Sequence, residues 1–599
     1  FIHTQDSILD EGLYLLKGYW FAVGEYVPFE AFGPWTNKMP LAFLIPGYVQ
    51  RIFGPSFRVG RWYAAVLALL IFLGVWIAAR RLGGKWGAAA AAVMIALNPA
   101  PTKLYSVVLS EGLIAAMLIW VIVLTLGEER HLWQQLMGSF LAGAMIITRI
   151  NLMMVLPVII GYIVWEHGWR KGLWCSLAGL LPVAVGHAVY WPEIMTLWVK
   201  WIPEDISPFV DSFRIDFTEA ERIYDPDPGL IPRVKAFFQG VRFHFAALVG
   251  FLTTLFFLPE DRKKWSQFKS FATLVVLFLF LLILHSYGSV LIDFNVSGYF
   301  IYLAFFSGLG IVITAGTIKK WQLNQPEWKM PILIGLVILL SLGIFYSYSS
   351  PSTFIGKRIS IHLLLRSTSE FLKGWGGDPG ELVWQTINQA VGINYAEFIR
   401  LGTIVILLGL ETLLIAGLIL LTRKTVSFGN AIPIPSLILM AFFSLGAILA
   451  PTNLLGGGME YLDCRWEVIN QHEQAARTIA AHVQDGEEIF WLGDKTQVVL
   501  LELEAHREVS FFPQQLNANF SRRSGGDPDE LSRHGYWNEV LAKDWLQRSE
   551  VVLIEKQHPA GEERFNLVNL GIDSFQQVGE TVQIGCEGRT SLVIYRRNP

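Results

Sequence analysis

Residues 61–85 read RWYAAVLALLIFLGVWIAARRLGGK. The apolar run at 61–79 is close to the ~20 residues that a helix needs to cross a bilayer. It stops at Arg80, Arg81 and Lys85, and basic residues at the end of an apolar span mark its cytoplasmic side. Working outward from this run, further apolar stretches fall at roughly 86–102, 106–126, 134–148, 151–166, 173–191, 240–258, 268–287, 296–317, 331–348, 401–422 and 433–450, about twelve spans by the same length criterion. The 134–166 region is ambiguous, because Thr148-Arg149-Ile150-Asn151 interrupts it. It reads as two short helices or as a helix and a re-entrant piece.

Composition agrees with a polytopic membrane protein. The chain has 599 residues, 53% hydrophobic and only 16% charged, against roughly 25% charged in soluble domains, and its mean hydropathy is +0.43. The net charge of −3 says little about partners; no basic block, zinc-finger or helix-turn-helix pattern points to nucleic acid, and no nucleic-acid partner is expected. The chain starts at Phe1 with polar residues, and a further membrane helix is expected before it.

The basic loops alternate along the chain: Arg80, Arg81 and Lys85; Arg130; Arg170 and Lys171; Arg262, Lys263 and Lys264; Lys319 and Lys320; Arg423 and Lys424. They define the cytoplasmic side. Residues 1–60, 192–239, 349–400 and everything after about 452 then face outside. The expected organisation is a first extracytoplasmic loop at 1–60, a transmembrane helical domain at 61–452 with outer loops 192–239 and 349–400, and a soluble extracytoplasmic α/β domain at 453–599. In the last region Val468–Val483 reads as an amphipathic helix, Glu488–Leu492 and Val551–Ile554 as buried strands, Tyr536–Arg548 as a helix and Ser591–Tyr595 as a closing strand; strands alternating with helices suggest an α/β fold. The expected localisation is a multi-pass protein of the plasma membrane. Cys464 and Cys586 either pair in an oxidising compartment or remain two buried thiols; Cys175 reads as inert.

The first loop carries the chemistry. Ile8-Leu9-Asp10-Glu11-Gly12-Leu13-Tyr14 places two adjacent acids in the first turn of a helix starting near Leu9, where they also complement the helix dipole. Asn37-Lys38-Met39-Pro40-Leu41 brings a cation to the same loop, Ser110-Glu111 sits at the outer start of a span, and Arg149 lies between two apolar runs. Acids at a membrane boundary can accept a proton, and cations can hold a phosphate leaving group. Asp10, Glu11 and Glu111 are the candidate catalytic residues, and Lys38 and Arg149 the candidate phosphate binders; an arginine at the depth of Arg149 needs a partner, either phosphate or Glu111. Arg61, Arg242, His244 and His285, also near outer span ends, read as structural. Asp225-Pro226-Asp227 and Asp527-Pro528-Asp529 fit an Asp-x-Asp pattern but read as exposed turns. No residue set argues for a zinc site, and no glycine-rich phosphate loop argues for a nucleotide sugar.

Asp10-Glu11-Gly12-x-Tyr14, Gly24-x-x-x-Pro28, Asn37-Lys38-x-Pro40-Leu41, Phe53-Gly54-Pro55-Ser56 and Arg61 together resemble the first outer loop of GT-C glycosyltransferases, in particular the protein O-mannosyltransferase and lipid A aminoarabinose transferase group. The resemblance extends to Ser110-Glu111-Gly112 and Thr148-Arg149; beyond about residue 170 it is only topological. Where the family often has two prolines after the lysine, this chain has Met39-Pro40. The resemblance implies an integral membrane enzyme that uses a polyprenyl-phosphate sugar on the outer face, with the first-loop acid as base. It implies a lipid, glycan or protein acceptor and contact with membrane lipids. It does not favour a divalent metal, although oligosaccharyl-transferring relatives use one. The competing readings are a membrane transporter and a non-catalytic membrane scaffold. A transporter places its ionisable groups near the midplane, where this chain has mainly Glu411.

Overall fold

The element that positions the first-loop acids is helix α1, Leu9–Val23. Ile8 enters it in an extended conformation, and Asp10 and Glu11 occupy its first turn, where negative charge is favourable. It ends at Gly24, left-handed at φ 89°, whose N–H donates to the Trp20 carbonyl; glycine takes this cap without a Cβ penalty. Helix α2, Leu41–Phe53, crosses α1 with the two backbones in contact: a Cβ on Gly18 would lie 2.5 Å from the Phe43 carbonyl oxygen. On another face of α1, a Cβ on Gly12 would lie 2.6 Å from Gln497 Cβ. The helix is therefore wedged on two sides, with Leu13, Leu15, Leu16 and Trp20 buried.

The computed structural model describes residues 2–30, 38–96, 98, 103–199, 201–202, 213, 220–222, 229–258, 267–291, 300–321, 328–347, 409, 412, 416, 464, 467–557, 572–586 and 590–598. The expected outer segment 349–400 and almost all of the expected spans 401–422 and 433–450 lie outside them, as do Asn37, Asp225-Pro226-Asp227 and Glu411.

The sequence reading puts two spans at 61–79 and 86–102. The structure joins them as α3, Phe57–Ala96, two helical pieces meeting at Gly84 (φ 71°, ψ −161°), a backbone conformation that only glycine adopts readily. Then come α4 (Ser110–Thr125), α5 (Leu132–Thr148), α6 (Val155–His167) and α7 (Trp169–Val189). The ambiguous 134–166 region resolves into α5 and α6, separated by a single 3-10 turn at Ile150–Leu152. Next are α8 (Leu230–Phe243) and α9 (Phe245–Phe257), bent by 90° at their junction, followed by α10 (Phe268–Leu291), α11 (Phe300–Thr317) and α12 (Lys329–Tyr346).

Among the described residues five helices are long and apolar enough to cross a membrane, or six if the bent pair counts as one. α4 has 16 residues, and nearly all of them are buried; it is the central post of the bundle, apolar all round as such a helix must be. α7 instead leaves Leu173, Trp174, Leu177, Leu180, Leu181 and Val185 exposed, a surface suited to lipid.

The C-terminal segment forms a mixed five-stranded sheet in the order β3-β2-β5-β7-β6. Its strands are β2 (Glu488–Leu492), β3 (Ser510–Phe511), β5 (Val551–Gln557), β6 (Phe575–Glu580) and β7 (Thr590–Arg597). β2 runs parallel to β3 and β5, while β7 is antiparallel to β5 and β6. Side chains alternate across the sheet. Ile489, Trp491, Val551, Leu553, Leu592 and Ile594 join the core shared with α1; Phe490, Val552 and Phe575 pack with Trp537 and Trp545 on the opposite face. Helices α13 (Val468–Ala480) and α14 (Gln497–Glu504) belong to the first face, and the face of α14 meets α1.

Three further links tie this segment to the helical bundle. Cys464 and Cys586 are joined by a disulfide, and their backbone N–H groups hold the lead-in to α1: Cys464 donates to the Thr4 carbonyl at 2.6 Å and Cys586 to Asp6 Oδ2 at 3.1 Å. Glu502 Oε1 accepts from the Phe57 N–H at 2.6 Å and from Ser56 Oγ at 3.2 Å at the start of α3. A short strand, β1 (Ala220–Arg222), pairs antiparallel with β4 (Arg523–Gly525).

Candidate active site

Adjacent residues on a helix point about 100° apart, so Asp10 and Glu11 face different surroundings. Glu11 is fully buried and forms a two-pronged ion pair with fully buried Arg61: Nε to Oε1 at 2.7 Å and Nη2 to Oε2 at 2.8 Å. Its Oε1 also accepts from the Val108 N–H at 3.0 Å. Arg61 spends its remaining N–H groups on the carbonyls of Ile2, Gln5 and Asp6. This assembly fixes the phase of α1 and anchors the lead-in.

Asp10 lies on the other side. It is partly exposed, and among the described residues no donor reaches its carboxylate. Lys38, Glu111 and Arg149 all act on its charge. Burial pushes the Asp10 carboxyl above its usual range, Lys38 and Arg149 pull it back and Glu111 pushes it up, leaving it raised. A raised carboxyl is better matched to taking a proton near neutral pH.

Facing Asp10 is a directional chain of polar groups. Lys38 Nζ donates to Tyr14 Oη at 3.2 Å. Tyr14 donates to Ser110 Oγ at 2.9 Å, and Ser110 donates to Glu111 Oε2 at 3.0 Å. Arg149 closes the chain with an ion pair to Glu111 and a 3.4 Å contact to Ser110 Oγ. Such charge-assisted, connected bonds reinforce one another. Burial opposes the charge on Lys38, but Tyr14, Asp10 and Glu111 outweigh it, so the ammonium is held protonated. Lys38 also sits 5.2 Å from the Tyr14 ring, and Arg149 sits 5.5 Å from the Tyr302 ring.

Local packing sets these positions. Met39, next to Lys38, is buried against Ile147, Ile194 and Leu197; this pins the backbone beside Lys38. Arg149 is extended at φ −160°, ψ 121°, between the end of α5 and the 3-10 turn, and that break in the helix lets its side chain reach α4.

Of the five sequence candidates, Asp10, Lys38, Glu111 and Arg149 come together, while Glu11 turns away to Arg61. Tyr14 and Ser110 are quoted in the motifs above without a role, yet they are the links of the chain. Tyr302 is a further neighbour that the motifs do not contain; it shares the electrostatic surroundings of Asp10, Glu111 and Arg149. Asp527 caps the helix Pro528–Arg533 by accepting from the Glu530 N–H at 2.9 Å. Asp6, Cys464 and Cys586 are the one His/Cys/Asp/Glu group with metal-ligand spacing among the described residues, and the two sulfurs there are already bonded to each other.

Residues 37–195 match the family described as dolichyl-phosphate-mannose-protein mannosyltransferase. The match covers about a quarter of the chain and includes Lys38, Glu111 and Arg149; Asp10 lies before it. Among solved structures the chain is similar to ArnT from Cupriavidus metallidurans in the apo state, at 14% identity over 99% of this chain and 94% of that one, TM-score 0.47. It is similar to the same protein bound to undecaprenyl phosphate, at 15% identity over the same shares, TM-score 0.45. The Archaeoglobus fulgidus oligosaccharyltransferase tethered to an acceptor peptide follows at 9% identity, over 92% of this chain and 65% of that one, TM-score 0.42. No curated protein matches the sequence.

Proposed function

We propose that the chain is a plasma-membrane glycosyltransferase that moves a sugar from a polyprenyl-phosphate donor to an acceptor on the extracytoplasmic face. The observation that carries this reading is Asp10: a carboxylate without a hydrogen-bond donor among the described residues, facing a polar chain that ends in Lys38 on one side and Arg149 on the other. A base beside two cations suits the attack of a hydroxyl or amine on a sugar whose leaving group is a phosphate.

In this mechanism Asp10 takes the proton of the acceptor hydroxyl or amine. The freed electron pair attacks the anomeric carbon as its bond to the phosphate oxygen breaks. Attack from the opposite face inverts the configuration, and polyprenyl phosphate leaves with the bond's electrons. Lys38 holds the departing phosphate as a point charge. Arg149, tethered by Glu111, supplies the second positive charge. Glu11 acts through Arg61 as a positioning residue, keeping α1 in the phase that presents Asp10. Three further features support the extracytoplasmic assignment: the alternation of basic loops, the disulfide, which suits an oxidising compartment, and the docking of the C-terminal segment on α1. The proposed layout is the first outer loop at 1–60, the membrane domain at 61–452 and an outer domain at 453–599. No step requires a metal.

The test is incubation of the purified protein in nanodiscs with short-chain polyprenyl-phosphate sugars and a panel of acceptors, with mass analysis of the released lipid phosphate and of the product. Release that depends on acceptor and is abolished in Asp10→Asn is the expected result. Absence of release with every donor, or full transfer by Asp10→Asn, would remove the proposal.

A further inference from the structure

Two residues after Arg149, Asn151 forms a second polar pair with His285. Asn151 lies in the 3-10 turn that follows Arg149, and His285 lies on α10. Both are buried, at 8% and 5% exposure. The Asn151 amide nitrogen is 3.3 Å from His285 Nδ1. An amide NH2 can only donate, so Nδ1 accepts and the ring proton resides on Nε2. That leaves two buried atoms without partners among the described residues: Nε2–H as a donor and Asn151 Oδ1 as an acceptor. Unsatisfied buried polar atoms cost free energy and call for an explanation.

The location supplies one. Arg149 acts electrostatically on His285, and the His285 and Tyr302 rings are 6.2 Å apart. Tyr302 in turn lies under Arg149 and within the field of Asp10. The pair therefore borders the reacting centre. A donor and an acceptor on two adjoining side chains match two hydroxyls of one sugar ring, one accepting from Nε2–H and the other donating to Oδ1. Phosphate would offer only acceptors and would leave Asn151 Oδ1 unsatisfied.

The geometry points to Asn151 and His285 as the subsite that binds ring hydroxyls of the sugar carried by the lipid donor, and so as residues that determine which sugar is transferred. This rests on the glycosyltransferase reading above. It reassigns His285, which sequence position alone marks as structural.

The experiment measures binding to nanodisc-embedded protein, without acceptor, of bare short-chain polyprenyl phosphate and of the same lipid carrying glucose, mannose or arabinose. Wild type should bind at least one sugar-bearing lipid more tightly than the bare phosphate. Asn151→Ala and His285→Phe should each reduce that preference about tenfold while leaving the affinity for bare polyprenyl phosphate unchanged. A donor lacking the contacted hydroxyl should bind wild type and variants alike. Equal losses on both lipids, or unchanged affinity for every sugar-bearing lipid, would overturn the subsite; the second result would also follow if the pair served the acceptor's sugar. Wild type that binds bare polyprenyl phosphate and transfers sugar, yet shows no preference for a sugar-bearing lipid, refutes the subsite alone. Wild type that binds neither lipid refutes the enzymatic reading with it.

Discussion

The two sides of the first turn of α1 carry the same chemistry to opposite ends. Behind the helix, Glu11 and Arg61 are both fully buried and satisfy each other with two short contacts and several backbone bonds. In front, Asp10 is partly open and has no donor among the described residues, while Lys38, Tyr14, Ser110, Glu111 and Arg149 form a chain across from it. A sealed pair has nothing left to give a substrate; its value is geometric. On the proposed reading, the partly open carboxylate of Asp10 beside Lys38 and Arg149 is the group left for chemistry. Charge type alone does not tell these two acids apart; the groups that each carboxylate meets among the described residues do.

This contrast can be broken most directly at Asp10. Asp10→Asn should lower transfer about a thousandfold, within the range of a lost general base, with the thermal unfolding midpoint and lipid-phosphate affinity unchanged. A fall in stability of the same size as that of a Glu11 variant would erase the distinction. Next is Glu11→Ala, which strands a buried guanidinium and should destabilise the fold by about 3–5 kcal/mol. The double variant Glu11→Leu/Arg61→Leu should recover much of that loss, since a packed apolar pair can replace a buried ionic one. Denaturant titration in detergent reads both. Smaller is Lys38→Met, which should raise the donor KM by about tenfold to a hundredfold, as expected for loss of a charged contact, without changing the unfolding midpoint.

The smallest expected effect concerns how the C-terminal segment sits on α1. Burial lifts the Glu502 carboxyl to about 7 and the Glu504 carboxyl to about 8. Both folded values lie above the ordinary carboxylate range, so the folded state binds more protons than the unfolded state through that interval. Stability should therefore fall as pH rises from about 4.5, through 7 for Glu502 and 8 for Glu504. Glu504→Gln should flatten the upper part of the curve. An unfolding midpoint that rises between pH 6 and 9 would contradict the burial of these acids.

Much of this architecture can be read in the sequence. Apolar runs mark the helices because a bilayer demands them, and alternating side chains mark Glu488–Leu492 and Val551–Gln557 because strands have period two. Asp10, Lys38, Glu111 and Arg149 stand out because charged groups at such places are costly. Which of the two adjacent acids faces the site was not legible: it depends on the phase of α1, set by Arg61 fifty residues away and by Val108 on another element. Tyr14 and Ser110 were visible only as motif letters, since a hydroxyl's role depends on what lies within 3 Å. The junction at Gly84 escaped because one glycine does not interrupt an apolar pattern strongly enough to show whether two helices bend or separate. His285 and Asn151 are 134 positions apart, and nothing in either neighbourhood announces the other.

The clasp on residues 3–6 has a practical consequence. Backbone groups at positions 464, 468 and 586 grip the stretch that leads into α1. Trimming the protein by discarding its last quarter would unlace that grip, and Asp10 would swing off its mark even with every transmembrane segment in place. Anyone seeking a smaller version should shorten exposed connections and keep both ends of the polypeptide.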